Sequence, residues 1–279
     1  MAKTKKKKTN REEVMQKLNT LRKTFKHYNI EGYIVPKNDE FFGEYISDSR
    51  DRLKFISSFT GSAGYALILR KKSYLFVDGR YTLQAFKESG KKFKIVEIYK
   101  KKPSNIIDKL KKRITIGYDP QLLTKSTINN LFASSKCNLK LIQENLVDKI
   151  WNKKNKIQIK RFYILPEGNM GESYKSKIKR TIIKMKSMKV DKLLITAPEN
   201  IAWLMNIRGE DSKFSPIPNC NAILNLSGEI DLIVDERKIN KKFIGFFKKK
   251  IRIISRHKII NYLINSKNKK NKFCVDLLT

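Results

Sequence analysis

Few side chains in these 279 residues are placed to do chemistry, and the two that stand out are arginines. Arg80 lies in the run Val77-Asp78-Gly79-Arg80-Tyr81, where an apolar strand pattern gives way to a helix pattern. An aspartate at such a switch can cap the helix that follows, so Asp78 is the expected cap, with Gly79 beside it. Arg80 would then project from the loop at that helix's start, where a guanidinium can fork onto a carboxylate or meet a peptide carbonyl. A surface ion pair is the plain alternative. Arg208 precedes Gly209-Glu210-Asp211. Its first reading is a structural salt bridge to Glu210 or Asp211, because such forks are common. Its second is contact with a neighbouring domain or an active-site rim. Trp203 is expected in the core next to that loop. Gly61 and Gly64 flank Ser62-Ala63 and allow positive φ and close backbone approach, as in a tight loop leading into a strand.

Metal and thiol chemistry have little to work with. His27 falls in the first helix and His257 beside Arg256 in a late basic helix, and neither has the surrounding acids and histidines of a metal site. Both read as polar-face histidines. Cys137, Cys220 and Cys274 are far apart, with no C-x-x-C pair, and are expected to be free thiols in a reducing compartment.

The elements that must carry these residues follow from periodicity. Val14, Leu18, Leu21 and Phe25 recur at helical spacing and predict a helix over 12–27. Gly32–Pro36, Tyr65–Leu69, Tyr74–Val77, Lys94–Ile98 and Ile114–Tyr118 read as strands, the second and third as a hairpin. The second half repeats this order. Ile178, Ile182, Ile183, Met185 and Met188 suggest a helix, Lys192–Thr196 a strand, and Asn221–Asn225 with Ile230–Val234 a hairpin. Both hairpins end in Val-Asp and run into a helix, as Val77-Asp78 and Val234-Asp235. Corresponding elements are offset by about 160 residues, a domain's length, so an internal duplication is expected. The fold class is α/β, with two similar domains, each a mixed β-sheet flanked by helices. The expected boundaries are a basic tail at 1–10, domain I at 11–150, a lysine-rich linker at 151–160, and domain II at 161–279, whole or incomplete at its C-terminus.

The formal charge of +36 could signal nucleic acid or an anionic membrane. However, the excess is almost all lysine scattered along the chain, with few arginines and no aromatic interleaving for base stacking. Lysine, isoleucine and asparagine share A/T-rich codons, which accounts for the composition without a partner. No apolar run approaches the roughly 20 residues of a membrane span, and the N-terminus lacks a signal's apolar stretch. Neither nucleic acid nor membrane is an expected partner.

Two segments together carry a family resemblance. One holds Tyr33-Ile34-Val35-Pro36, Asp39, Glu44-Tyr45, Arg52, Phe59-Thr60-Gly61-Ser62-Ala63-Gly64 and Phe76 to Ala85. The other runs Ile201-Ala202-Trp203-Leu204-Met205-Asn206-Ile207-Arg208-Gly209-Glu210-Asp211, with Pro216 beyond. With Ile116 to Pro120 and Asn145 to Trp151 between them, the chain resembles the creatinase-type N-terminal domains of three-domain aminopeptidase P enzymes. Phe41 stands where many relatives have histidine, and Gln121 and Leu123 where tryptophan and histidine are frequent. The resemblance implies a cytoplasmic, homodimeric Xaa-Pro aminopeptidase that removes an N-terminal residue preceding proline. It implies a dinuclear metal, commonly manganese, held in a third, pita-bread domain that lies outside this chain, so the chain alone is expected to be inactive. In relatives the arginine matching Arg80 contacts the bound peptide, which implies substrate binding by Arg80 and, less directly, by Arg208. Domains I and II would shape substrate access and supply dimer contacts. The rival expectations are a stand-alone interaction module that pairs with itself or a full-length paralogue, and a nucleic-acid binder driven by charge.

Overall fold

A computed structural model describes residues 10–133, 135–152, 159–248, 250–268 and 270–276. Residues 1–9 of the expected tail and 153–158 of the expected linker lie outside that set. The described residues fall into two compact units, one of residues 10–40 and 48–152, the other of 41–47 and 159–276.

Unit 1 begins with α1, Asn10–His27, whose Val14, Leu18, Leu21 and Phe25 are all buried. β1, Gly32–Pro36, is covered on both faces. After α2, Arg52–Ser57, the hairpin of β2, Gly64–Leu69, and β3, Ser73–Val77, returns beside it. A 3-10 turn at Gly79–Tyr81 leads into α3, Thr82–Ser89, then β4, Lys94–Glu97, and α4, Pro103–Ile107. β5, Ile114–Tyr118, α5, Lys125–Phe132, β6, Cys137–Leu141, and α6, Leu146–Ile150, complete the unit. The sheet order is β4-β3-β2-β1-β5-β6, with β2 antiparallel to both neighbours and the other pairs parallel. Alternation along β1 explains the layering: Tyr33 and Val35 join the core under α1, α2 and α6, while Ile34 joins the core under α4 and α5.

Unit 2 repeats the plan. A short ladder joins β7, Tyr163–Ile164, to β9, Ile207–Arg208. The main sheet is built from β8, Lys192–Ile195, β10, Asn221–Asn225, β11, Ile230–Ile233, β12, Ile251–Ile254, and β13, Phe273–Cys274, in the order β12-β11-β10-β8-β13. β10, like β2, is antiparallel to both neighbours. The helices are α7, Tyr174–Ser187, α8, Pro198–Met205, α9, Lys241–Phe246, and α10, Ile259–Asn268. On α7 the expected stripe holds at Ile178 and Met185, both buried. Ile183 and Met188 depart from it and are exposed, one because it sits on the outer face, the other because it follows the helix end.

The duplication extends to backbone detail. Asn29 and Lys189, 160 residues apart, both adopt left-handed φ (49° and 53°) between the first helix of a unit and its first sheet strand. Asp78 and Asp235, 157 residues apart, both end a hairpin and accept from the backbone N–H two residues on.

Candidate functional site

Arg80 sits where the sequence places it, at the carboxyl end of β3. Asp78 caps the 3-10 turn: its Oδ1 accepts from the Arg80 backbone N–H at 3.0 Å and from Arg80 Nε at 2.9 Å. That side-chain hydrogen bond holds the Asp78 carboxyl below the usual carboxylate range and raises the guanidinium in turn. The Arg80 side chain is 74% exposed and lies 5.4 Å over the Tyr81 ring. Its counterpart Arg237 shows what this clasp can be when complete. There Nε meets Asp235 Oδ1 at 2.9 Å and Nη2 meets Oδ2 at 2.6 Å. At Arg80 the aspartate engages the side chain through Nε, and the exposed guanidinium keeps two terminal nitrogens that could fork onto an anion or a carbonyl.

The loop before β2 stands beside this arginine. Ser62 Oγ and Tyr81 Oη are 2.9 Å apart. The Thr60 amide and hydroxyl donate to the two Glu88 oxygens at 2.7 and 2.6 Å, and Gln84 Nε2 donates to Thr60 Oγ1 at 2.8 Å. Burial works against the Glu88 charge, but the Thr60 and Gln84 donors outweigh it and hold the carboxyl low. The glycines differ in why they are needed. A Cβ at Gly61 would stand 2.2 Å from the buried Phe59 ring, and one at Gly64 would stand 2.7 Å from the Phe76 carbonyl. Gly79 is not so constrained, since the nearest atom to its Cβ would be a Glu97 oxygen at 3.9 Å. The loop and the turn together bring the Ser62 hydroxyl, the Tyr81 phenol and the Arg80 guanidinium close to one another.

Two expectations around Arg208 are corrected. Its Nη1 donates to the carbonyls of Ala202 and Ile207, at 3.1 and 2.9 Å, and so closes the C-terminus of α8, where free carbonyls attract cations. The acids reserved for it are taken: Glu210 pairs with Lys160 at 2.9 Å, and Asp211 pairs with the buried Lys238. Trp203 is not core. It is 49% exposed on α8, with Lys177 Nζ and Arg180 lying 4.6 and 5.2 Å over its ring. Gly209 packs tightly, its Cβ position being 2.8 Å from Pro218.

Unit 1 also holds a buried charge cluster whose pairing no sequence spacing announces. Arg52, 3% exposed, donates from Nη2 to Glu40 at 2.6 Å and forks onto Asp148. Burial opposes the Glu40 charge, but Arg52 and Arg50 overcome it and bring its carboxyl down to about 2. Asp119 accepts from Asn145 Nδ2 at 2.8 Å, and its burial pushes its carboxyl up. Arg52, Asp119 and Asp148 belong to the segments that carry the resemblance, but separations of 29 to 96 residues leave no local spacing signal for their contact. The cluster ties α2 to α6 and has the satisfied geometry of a structural network.

Both histidines are exposed, His257 in a 3-10 turn rather than a helix. Among the described residues no group of three or more His, Cys, Asp or Glu side chains could hold a metal ion, so no dinuclear centre fits them. Cys137 and Cys274 are partly buried and Cys220 is buried, all as free thiols. No helix of the described residues is long and apolar enough to cross a membrane.

The two units are two copies of one mixed α/β plan, and neither holds a metal-ligand set among the described residues. Residues 17–149 and 153–278 match two models of the same description, the creatinase/prolidase N-terminal domain, and the chain belongs to that family. It is 32% identical over 234 residues to a probable Xaa-Pro aminopeptidase P of Laccaria bicolor, covering 81% of this chain and 36% of the relative. It is 30% identical over 278 residues to Xaa-Pro aminopeptidase 1 of Dictyostelium discoideum, covering 94% and 44%. The crystal structure of X-prolyl aminopeptidase from Caenorhabditis elegans, described as a cytosolic enzyme with a di-nuclear active site, matches with a TM-score of 0.84 at 25% identity. That match covers 94% of this chain and 46% of the other. The chain thus spans less than half the length of each of these relatives.

Proposed function

We propose that the two units act as the non-catalytic N-terminal part of a cytoplasmic Xaa-Pro aminopeptidase, which removes an N-terminal residue preceding proline. The observation that carries this reading is the likeness of 94% of the chain to less than half of a peptidase with a di-nuclear active site, with no metal-ligand set among its own described residues. The catalytic metals would then be held by other polypeptide, and what this chain contributes is shape and charge at the peptide's approach. Arg80 is the residue assigned to the peptide, with Ser62 and Tyr81 nearby. Arg208, whose guanidinium closes α8, is assigned a supporting role only. Dimer contacts are assigned to exposed apolar surface such as Leu83 and Phe86 on α3.

The test is hydrolysis of short Xaa-Pro peptides with added manganese by the 279-residue chain and by a longer enzyme that carries it at its N-terminus. Activity confined to the longer enzyme, and weakened there by Arg80→Ala, is the expected result. Turnover by the 279-residue chain alone, or unchanged kinetics on loss of Arg80, would overturn the corresponding assignment.

A further inference from the structure

A groove of about 400 Å³ runs along α7 in unit 2. Its floor is apolar, for Ile178, Ile230 and Phe247 are all buried. The turn between β10 and β11 comes close over it: a Cβ at Gly228, which holds a left-handed φ of 83°, would stand 3.5 Å from Ile182 Cδ1. Ile183, 60% exposed, lies on the open side. Around this floor stand Lys175, Lys179, Lys186 and Lys250, and among the described residues no Asp or Glu lines the groove. Acids nearby in sequence are engaged elsewhere, Glu172 with Arg180 and Ser176, and Glu229 with Ser227. Four like charges about an apolar floor repel one another, and an anion among them relieves that repulsion.

The width of the groove limits what can lie in it. α7 lines it at successive turns from Tyr174 to Lys186, a rise of about 18 Å. A volume of about 400 Å³ over about 18 Å is a mean cross-section of about 22 Å². A helix about 10–12 Å across needs about 80–110 Å². Extended peptide, spaced about 4.7 by 10 Å from its neighbours, needs about 47 Å². An unbranched alkyl chain is thinner than either. A second copy of this chain is disfavoured by charge as well, since each copy carries +36.

We propose that this groove binds a soluble, unbranched aliphatic carboxylate, its chain lying along α7 over Ile178 and Ile182 and its head among the lysines. The floor supplies affinity through buried methylenes. The lysines select the sign of the head group rather than a fixed geometry, because ammonium groups on flexible stems act as point charges. The inference rests on unit 2 alone and not on the peptidase reading.

Isothermal titration calorimetry of the 279-residue chain with dodecanoate, below its micelle concentration, tests it. Binding at one site per chain is expected, with decanoate roughly tenfold weaker. Dodecyltrimethylammonium, of the same length and opposite charge, should not bind. Ile183→Glu sets a carboxylate at the groove and should abolish dodecanoate binding. The combined Lys175→Gln, Lys179→Gln, Lys186→Gln and Lys250→Gln variant should weaken it several-fold, with circular dichroism native for both variants. Lys111→Gln with Lys112→Gln, at two exposed lysines of unit 1, should leave binding unchanged. No binding, equal binding of the two head charges, many ligands bound per chain, or indifference to the groove variants would overturn the proposal. So would binding confined to vesicles of anionic lipid or to an acidic amphipathic peptide, since the occupant would then be a membrane or a protein.

Discussion

Arg52 and Asp148 meet through two parallel hydrogen bonds, Nε to Oδ1 at 3.0 Å and Nη2 to Oδ2 at 2.6 Å, although 96 residues separate them. The pair joins α2 to α6 with Arg52 almost wholly out of water, so removing the arginine takes from Glu40 and Asp148 the buried cation they share. Arg52→Ala is expected to cost about 3–5 kcal/mol of unfolding free energy. Urea denaturation measures it, and a loss below about 1 kcal/mol would show the pair to be solvent-screened.

The same network sets an acid limit. Glu40 is held at about 2 in the folded chain, below its ordinary value of 4.5. A depressed carboxylate stabilises the fold above its unfolded pKa, and that stability is lost as pH falls toward the folded one. The window is therefore about pH 4.5 down to 2, and the amount on the order of 3 kcal/mol. Asp119 acts in the opposite sense, because burial raises its carboxyl and favours the protonated form. Thermal melts against pH for wild type and Glu40→Gln should converge at the acid end of the window. Parallel curves would sink the assignment.

Glycine substitutions should separate the loop positions. Gly64→Ala drives a methyl into the Phe76 carbonyl, a backbone atom of the sheet that cannot swing away. It should cost about 1–3 kcal/mol, whereas Gly79→Ala should stay within about 0.5 kcal/mol. Paired denaturant curves decide this, and equal effects would refute the steric account.

Arg80 and Arg237 form a matched pair for kinetics. Within a longer, active enzyme, Arg80→Ala is expected to lower kcat/KM on the order of tenfold, and Arg237→Ala to leave it unchanged. Circular dichroism should be native for both. Equal losses would mean that the two clasps only fasten turns.

On α1, Leu18→Ala should cost about 2–5 kcal/mol because the side chain is wholly buried. On α7, the exposed Ile183→Ala should change stability by no more than about 0.5 kcal/mol. A large effect at Ile183 would place it in a core rather than at the surface.

Much of the architecture was legible because local pattern and burial agree. Val14, Leu18, Leu21 and Phe25 repeat at helical spacing, and all four are buried. The two Val-Asp hairpin ends pointed to the duplication; Asp78 caps as expected, and its counterpart Asp235 does the same. Contacts set by tertiary geometry were not legible. Arg208 lies two and three residues from acids, yet it turns back to the α8 carbonyls because a helix end needs a donor there. Trp203 has a core residue's chemistry but lies half exposed on α8 beneath Lys177 and Arg180, which no count along the chain reveals. The Arg52–Asp148 pair is closed by the fold itself, so neither residue's neighbours announce it.

The antiparallel centre of each sheet also bears on how the chain folds. β1, β2 and β3 are consecutive in sequence and adjacent in space, and so are β8, β10 and β11 apart from the short β9. Such meanders close connections of fewer than 30 residues, whereas β5 must return across more than 70 residues to pair with β1. During synthesis each half can thus form its three-stranded centre early and add the parallel strands afterward. In the second half β13 must likewise reach back across about 80 residues to pair with β8, so that edge of the sheet closes the longest loop of its unit.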